Sequence, residues 1–331
     1  MVSPGYVVVP PGYVTRPIVF EDVDGLPDGP DVDLAYAVVT AADVGVIGQV
    51  EDSREAIRAN LTNPDAQRDA HRLFLTDTGE PAGLVVIERD NATQTFFVDS
   101  YAAPTHGHRI LPSLVATGLA AIGPLATDGD WKAEAGAFVQ DEVYIGVLED
   151  AGFREVRRFW RMVIDLGPEH DRAPIAPEGV TRAVAVTDEE RRLLHAVEQE
   201  SFAEHFGFAP RPYDEFLAWG IDRRDARPDL WWLASLDGQP VGLCVMDDSH
   251  ADRSASHVRM LGVIPHARGR GIASWLLRSA FAQARAEGRR AVTLTVDSEN
   301  STGATALYES VGMRAENVIA LYRRPLERAA P

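Results

Sequence analysis

The segment PHARGRGIA, Pro265 to Ala273, places two arginines and two glycines between the largely apolar run Val258 to Val263 and a stretch of helical spacing. A strand that ends in a glycine-rich turn and runs into a helix leaves several backbone N–H groups, with the positive end of the helix dipole behind them, aimed at one place. Glycine at 269 and 271 lets the main chain approach an anion with no Cβ in the way. Arg268 and Arg270 can add charge-assisted hydrogen bonds worth about 1.5 to 3 kcal/mol each. The chemistry is that of a phosphate or pyrophosphate cradle, and the plain alternative is a solvated Arg/Gly helix entry. The loop does not fit G-x-x-x-x-G-K-[ST] and follows the fourth or fifth strand of its domain instead of the first, which counts against nucleoside triphosphate and dinucleotide sites.

Other chemistry-bearing types are sparse. Cys244 is the single cysteine, so no intramolecular disulfide forms, and its neighbours in VGLCVM read as a core strand instead of a nucleophile's setting. The sequence shows no Cys/His metal cluster. A formal net charge of −18 argues against a nucleic-acid partner, because phosphate neutralisation needs a basic surface. Prolines interrupt the first residues before a signal-peptide h-region could form. No apolar run of about 18 residues offers a membrane span, so a cytoplasmic protein is expected.

The elements that must position the loop are written twice. GEPAGLVVI from Gly79 and GQPVGLCVM from Gly238 agree at five of nine positions. PTHGHRI aligns with HARGRGI through Gly107 and Gly269, and LEDAGFR with YESVGMR through Gly152 and Gly312. Three landmarks in one order, at offsets of 159, 162 and 160 residues, indicate one fold repeated in a chain of 331 residues. The reading is an N-terminal extension over 1–30, a first copy over 31–166, a proline-rich linker over 167–179 and a second copy over 180–331. In the second copy LLHAVEQESFAE reads as a helix, and WWLASL and GLCVMD as strands around the DGQP turn. VRMLGV is a further strand. A helix with apolar Ile272, Trp275, Leu276, Ala280 and Ala284 follows and stops at Gly288. The strand AVTLTV, a helix containing Tyr308 and a last strand VIALYR complete a mixed α/β sheet.

The order LGVIPHARGRGIASWLL, then LTVDSENSTGATALYESVGM, resembles the GNAT superfamily of acyl-coenzyme A-dependent N-acyltransferases, with Arg268, Gly271 and Ala273 filling its R-x-x-G-x-[GA] pattern. The resemblance is specific over about Val258 to Met313 and extends faintly to the first half. It implies two tandem GNAT-like domains with acetyl-coenzyme A as cofactor. Arg268, Gly269, Arg270, Gly271, Ile272 and Ala273 would cradle the pyrophosphate. Leu261, Gly262 and Val263 would pair with the pantetheine arm and polarise the acyl carbonyl, and Asn300 would lie near the pantetheine. Tyr308 matches the tyrosine that protonates the departing thiolate. Where many relatives place a glutamate base this chain has His257, whose imidazole can accept an amine proton near neutral pH. Glu200, Glu204 and His205, in EQESFAEHFGF, are rival candidates, because the first helices of this fold line the acceptor cleft.

Two-domain chains of this length are similar to the mycothiol synthases and other actinobacterial acetyltransferases. Those usually carry the glutamate base and a coenzyme-binding loop in both halves, and this chain departs from both. In the first copy His106 stands at the place of Arg268, Arg109 at that of Gly271, Pro112 at that of Ser274, Thr95 at that of His257, Gln140 at that of Asn300 and Leu148 at that of Tyr308. The first copy is therefore expected to be degenerate, with one coenzyme A bound per chain. The expected reaction is transfer of an acetyl or short acyl group to a primary amine of a small molecule in a ternary complex, by a monomer (pseudo-dimeric) or a homodimer. Acylation of a peptide or protein amine, or non-catalytic acyl-coenzyme A sensing, are the alternatives.

Overall fold

The computed structural model describes residues 9–127, 129–220, 226–299 and 303–326. The chain divides into two compact units, Met1–Arg158 with Val318–Pro331, and Phe159–Asn317. The division cuts across the boundaries drawn from the repeat. In chain order the extension and the first copy comprise β1 (Tyr13–Pro17), the β2 (Glu21–Val23) and β3 (Leu26–Asp28) hairpin, α1 (Pro30–Ile47), α2 (Arg54–Thr62), β4 (Arg72–Thr76), β5 (Pro81–Asp90), β6 (Thr95–Ala102), α3 (Gly107–Ile122), β7 (Lys132–Phe138), α4 (Glu142–Asp150) and β8 (Arg154–Asp165). The second comprises β9 (Val180–Val184), α5 (Asp188–Phe202), α6 (Tyr213–Gly220), β10 (Ala226–Leu236), β11 (Gln239–Asp247), β12 (Ala255–Val263), α7 (Ile272–Ala286), β13 (Ala291–Asp297), α8 (Ala304–Ser310) and β14 (Arg314–Pro325).

In the first unit the strands run β1-β4-β5-β6-β7-β14, and in the second β8-β13-β12-β11-β10-β9. Each unit thus takes its closing strand from the other half of the sequence: Ile319–Pro325 of β14 pair with Lys132–Phe138, and Phe159–Asp165 of β8 pair with Ala291–Asp297. The extension also joins the fold, since β1 pairs with β4 at the sheet edge.

Local chemistry accounts for the second unit's elements. Thr187 caps α5, accepting the Glu190 N–H at 3.2 Å while the Glu190 carboxylate accepts the Thr187 N–H at 2.8 Å. Asp237 and Gly238, both left-handed at φ 50° and 80°, make the tight turn between β10 and β11. The apolar stripe anticipated for α7 is buried as a whole, Ile272, Trp275, Leu276, Ala280 and Ala284 packing with Leu243, Cys244 and Val292 in one core. Cys244 has no exposed surface, and burial pushes its thiol up to about 12, as a core cysteine requires. The linker is held to α7 by Trp275 Nε1 donating to the Pro174 carbonyl at 3.3 Å and by Arg285 paired with Asp171 at 3.0 Å. Among the described residues no helix is long and apolar enough to cross a membrane, and no group of His, Cys, Asp and Glu is placed to hold a metal ion.

Candidate active site

The feature that positions the site is a pair of parallel strands that part. β12 and β13 are laddered only over Ala255–Val258 and Ala291–Leu294. Beyond Val258 the β13-facing edge of β12 has no strand partner among the described residues, and a cavity of about 540 Å³ opens in the gap. Arg259, Leu261, Gly262 and Val263 line it from one side, Thr295, Val296 and Asp297 from the other. The end of α5, the loop after β12 and α8 complete the walls.

At one end of the cavity lies the glycine-rich loop. Gly269 and Gly271 hold φ 76° and 75°, a left-handed geometry that side chains disfavour. Their conformation keeps the chain from closing into a helical turn before Ile272. From Gly269 to Ser274 no backbone N–H has a partner among the described residues, and the first intrahelical bond runs from Trp275 N to Gly271 O at 2.9 Å. Six consecutive donors at a helix N-terminus, beside open space at Gly269, form an anion cradle.

Arg268 behaves differently from the sequence expectation. Its Nε donates to the Val263 carbonyl at 3.0 Å and its Nη2 to the Ser201 carbonyl at 3.2 Å, so the guanidinium ties the end of α5 to the end of β12. Gly262 permits that approach: a Cβ there would meet Ser201 Oγ at 2.8 Å and the Phe202 ring at 3.0 Å. Arg268 is committed to main-chain carbonyls, which leaves anion contact to the N–H groups that follow it.

Tyr308, on α8, lines the cavity and is buried. Burial pushes its hydroxyl up to about 12, so it stays protonated at neutral pH, and it has no hydrogen-bond partner among the described residues. His205, just past α5, also lines the cavity with its ring 4.7 Å from that of Phe202. Burial lowers its pKa, the nearby Arg268 lowers it further, and Asp297 and Glu204 oppose them.

His257 lies elsewhere. It sits on β12 before the strands part and does not line the cavity. Its Nδ1 meets the Thr293 hydroxyl at 3.0 Å, the same hydroxyl meets His250 Nδ1 at 2.8 Å, and the two rings are 4.5 Å apart. Burial, then His250, hold the His257 imidazole well below its usual range despite Asp247. Glu204 is exposed, Glu200 is exposed near His266, and neither lines the cavity. Asn300 lies outside the described residues. Sequence reasoning missed Arg259 and Asp297 as cavity residues, because their alignment on two parting strands is visible only in the register.

Residues 192–313 match the acetyltransferase (GNAT) family model. The chain is 30% identical over 307 residues to a mycothiol acetyltransferase of Beutenbergia cavernae, covering 88% of this chain and 96% of the relative. The chain belongs to the GNAT acetyltransferase family. A mycothiol acetyltransferase of Streptomyces griseus is 28% identical over 282 residues, covering 82% of this chain and 87% of the relative. Among solved structures, a GCN5-related N-acetyltransferase from Sphaerobacter thermophilus superposes with a TM-score of 0.77 at 24% identity, covering 98% of both chains. A tandem GNAT protein from the clavulanic acid biosynthesis pathway gives 0.70 at 16% identity, covering 96% of this chain and 99% of that one. The protein is an acyltransferase enzyme of tandem GNAT fold that uses acyl-coenzyme A.

The first GNAT copy has the same parted strands and fills them. β6 and β7 are laddered only over Thr95–Phe97 and Lys132–Glu134. Past that point Asp99 Oδ1 accepts the Gly136 N–H at 3.3 Å across the gap, and the Ser100 N–H donates to the Tyr144 hydroxyl at 3.3 Å. Its loop also closes, with Gly107 N bonded to Ala103 O at 3.1 Å and Arg109 N and Ile110 N both bonded to His106 O. The extension lies over that loop, Tyr13 Oη meeting His106 Nδ1 at 2.9 Å and Arg109 lying 5.4 Å from the Tyr13 ring.

Proposed function

We propose that the second copy transfers the acetyl group of acetyl-coenzyme A to the primary amine of a small molecule, by direct attack in a ternary complex. The observation that carries this reading is the convergence, on one cavity between parted strands, of an open run of N–H groups, an unladdered strand edge and a buried tyrosine hydroxyl. Relatives named as mycothiol acetyltransferases, named for a small molecule, support the acceptor class.

In this reading the N–H groups of Gly269, Arg270, Gly271, Ile272 and Ala273 bind the pyrophosphate, and Arg268 fixes the loop that presents them. The edge of β12 at Leu261, Gly262 and Val263 aligns the pantetheine arm and donates to the acyl carbonyl, where negative charge develops. Coenzyme A supplies an activated thioester. Tyr308 delivers the proton that the departing sulfur requires, a role suited to a phenol kept neutral by burial.

We assign the amine's proton to His205 in preference to His257 and Glu204. His205 faces the cavity, and its lowered pKa keeps the imidazole neutral and able to accept at pH 7. His257, bonded through Thr293 to His250, supports the wall behind Arg259. A panel of primary amines offered with acetyl-coenzyme A, assayed for thiol release and acylated product, tests the function. Amine-dependent release is expected, and coenzyme A binding without it would reassign the chain as a sensor.

A further inference from the structure

Arg259 is a cation built into the cavity wall that the acyl-transfer reading leaves unused. It extends from the first residue of β12 beyond the parallel ladder, and its Nε donates to Asp247 Oδ2 at 2.7 Å. Asp247 is a firm anchor: it is 4% exposed, and it also accepts the Ser249 N–H at 3.0 Å and hydroxyl at 2.6 Å. Against the upward push of its own burial, Arg259, then His257 and the Ser249 hydroxyl, keep Asp247 ionised. The anchor engages only Nε. Nη1 and Nη2 have no partner among the described residues, and Arg259 is one of the residues that line the cavity. A guanidinium fixed by one carboxylate presents its remaining N–H fork in a planar geometry that matches a second carboxylate.

The spacing restricts what such a ligand can be. Arg259 is two residues before Leu261, about 7 Å along an extended strand. The strand edge from Leu261 to Val263 is where the proposed function puts the reacting carbonyl. An acceptor that binds Arg259 through a carboxylate can bring an amine one or two carbons away to that edge. A charged amine meets a carboxylate, Asp297, on the facing strand.

We infer that the acceptor is an amino acid-type molecule, a compact amine bearing a carboxylate that Arg259 holds. The inference rests on the proposed function and narrows its substrate class.

The test uses matched probes on the full chain: glycine, L-alanine and β-alanine, each against its carboxamide. Calorimetric binding to the coenzyme A complex is read beside kcat/KM with acetyl-coenzyme A. The carboxylates are expected to bind at least ten-fold tighter than the amides. In Arg259→Gln that preference should vanish through acceptor KM, with coenzyme A affinity unchanged. Because Arg259→Gln leaves Asp247 buried without its partner, the double variant Arg259→Gln/Asp247→Asn is measured with it, and Arg259→Lys should retain part of the preference. Equal binding of acids and amides, no binding of any acid, or an undiminished preference in both Gln variants overturns the inference. Thiol release with the amides alone would leave the acyltransferase function standing while this inference fails.

Discussion

A proton donor to a thiolate must remain protonated until the sulfur departs, and Tyr308 meets that condition through burial. Tyr308→Phe preserves the packing of the ring and removes the proton, so kcat should fall by about 10² to 10⁴ while coenzyme A affinity barely changes. Equal turnover, with chemistry rate-limiting, would make Tyr308 a core residue only. For the base, the lowered pKa of His205 sets the sign of the pH dependence. The neutral imidazole is the active form, so kcat should hold through neutrality and decline as pH falls through a value below the usual 6.5 or so. His205→Gln should abolish that acidic limb and His257→Gln should leave it. The reverse pattern would return the base to His257. At this scale the sequence shows residue types well and directions poorly. Arg268 was legible as a loop arginine, but its turn inward onto the Val263 and Ser201 carbonyls depends on where α5 ends. His257 occupies the strand position that the family resemblance marks for a base, yet it is laddered with β13 and does not line the cavity.

Among elements, periodicity identified α7 and the strands around it, because each signal lies within about a dozen residues. The exchange of closing strands was not legible. RRFWRMVID and VIALYR carry the same strand character, and nothing local determines whether β8 or β14 pairs with β13. The repeat puts the boundary between the copies at 167–179, whereas the compact units divide after Arg158 and again after Asn317. One buried histidine ties the first unit's elements together. His71 Nε2 donates to the carbonyl of Leu61, in the last turn of α2, at 3.0 Å, and its Nδ1 accepts the Ile87 N–H of β5 at 3.1 Å, so the fold requires the neutral ring. Burial lowers its pKa to about 4. With a folded pKa below the unfolded one, the neutral ring's contribution is complete above about pH 6.5 and is lost progressively down to about pH 4, about 3 kcal/mol in all. Asp99, raised to about 6 by burial, acts in the opposite direction over an overlapping range. The diagnostic quantity is therefore the difference between wild type and His71→Asn in unfolding free energy across pH 4 to 7. That difference should shrink on acidification, and a constant offset would sink the assignment.

The molecule as a whole contains two parted-strand sites with one topology and opposite fates. In the second copy the left-handed glycines leave six N–H groups without partners among the described residues, the strand edge is unladdered and Tyr308 lines the gap. In the first copy Asp99 and Tyr144 fill the gap, the N–H groups of His106, Gly107, Arg109 and Ile110 are bonded within the loop's own turn, and Tyr13 and Arg109 cover it. Binding there would require breaking the part-buried Asp99–Gly136 bond and displacing the extension, with no hydroxyl at Leu148 to serve the thiolate. We therefore expect one coenzyme A per chain. Calorimetric titration with acetyl-coenzyme A should give a stoichiometry near one, and Gly271→Trp should eliminate it, since a non-glycine residue at φ 75° strains the loop and the indole fills the cradle. At a free ligand concentration a hundred times Kd, binding should stabilise the wild type by about 2.7 kcal/mol and leave Gly271→Trp unshifted. Hydrogen exchange should slow over Gly269 to Ser274 on adding the ligand and stay unchanged over Gly107 to Leu111. Two comparable sites per chain, or protection at both loops, would mean that the bridge across β6 and β7 opens readily and that the first copy retains a coenzyme-binding role.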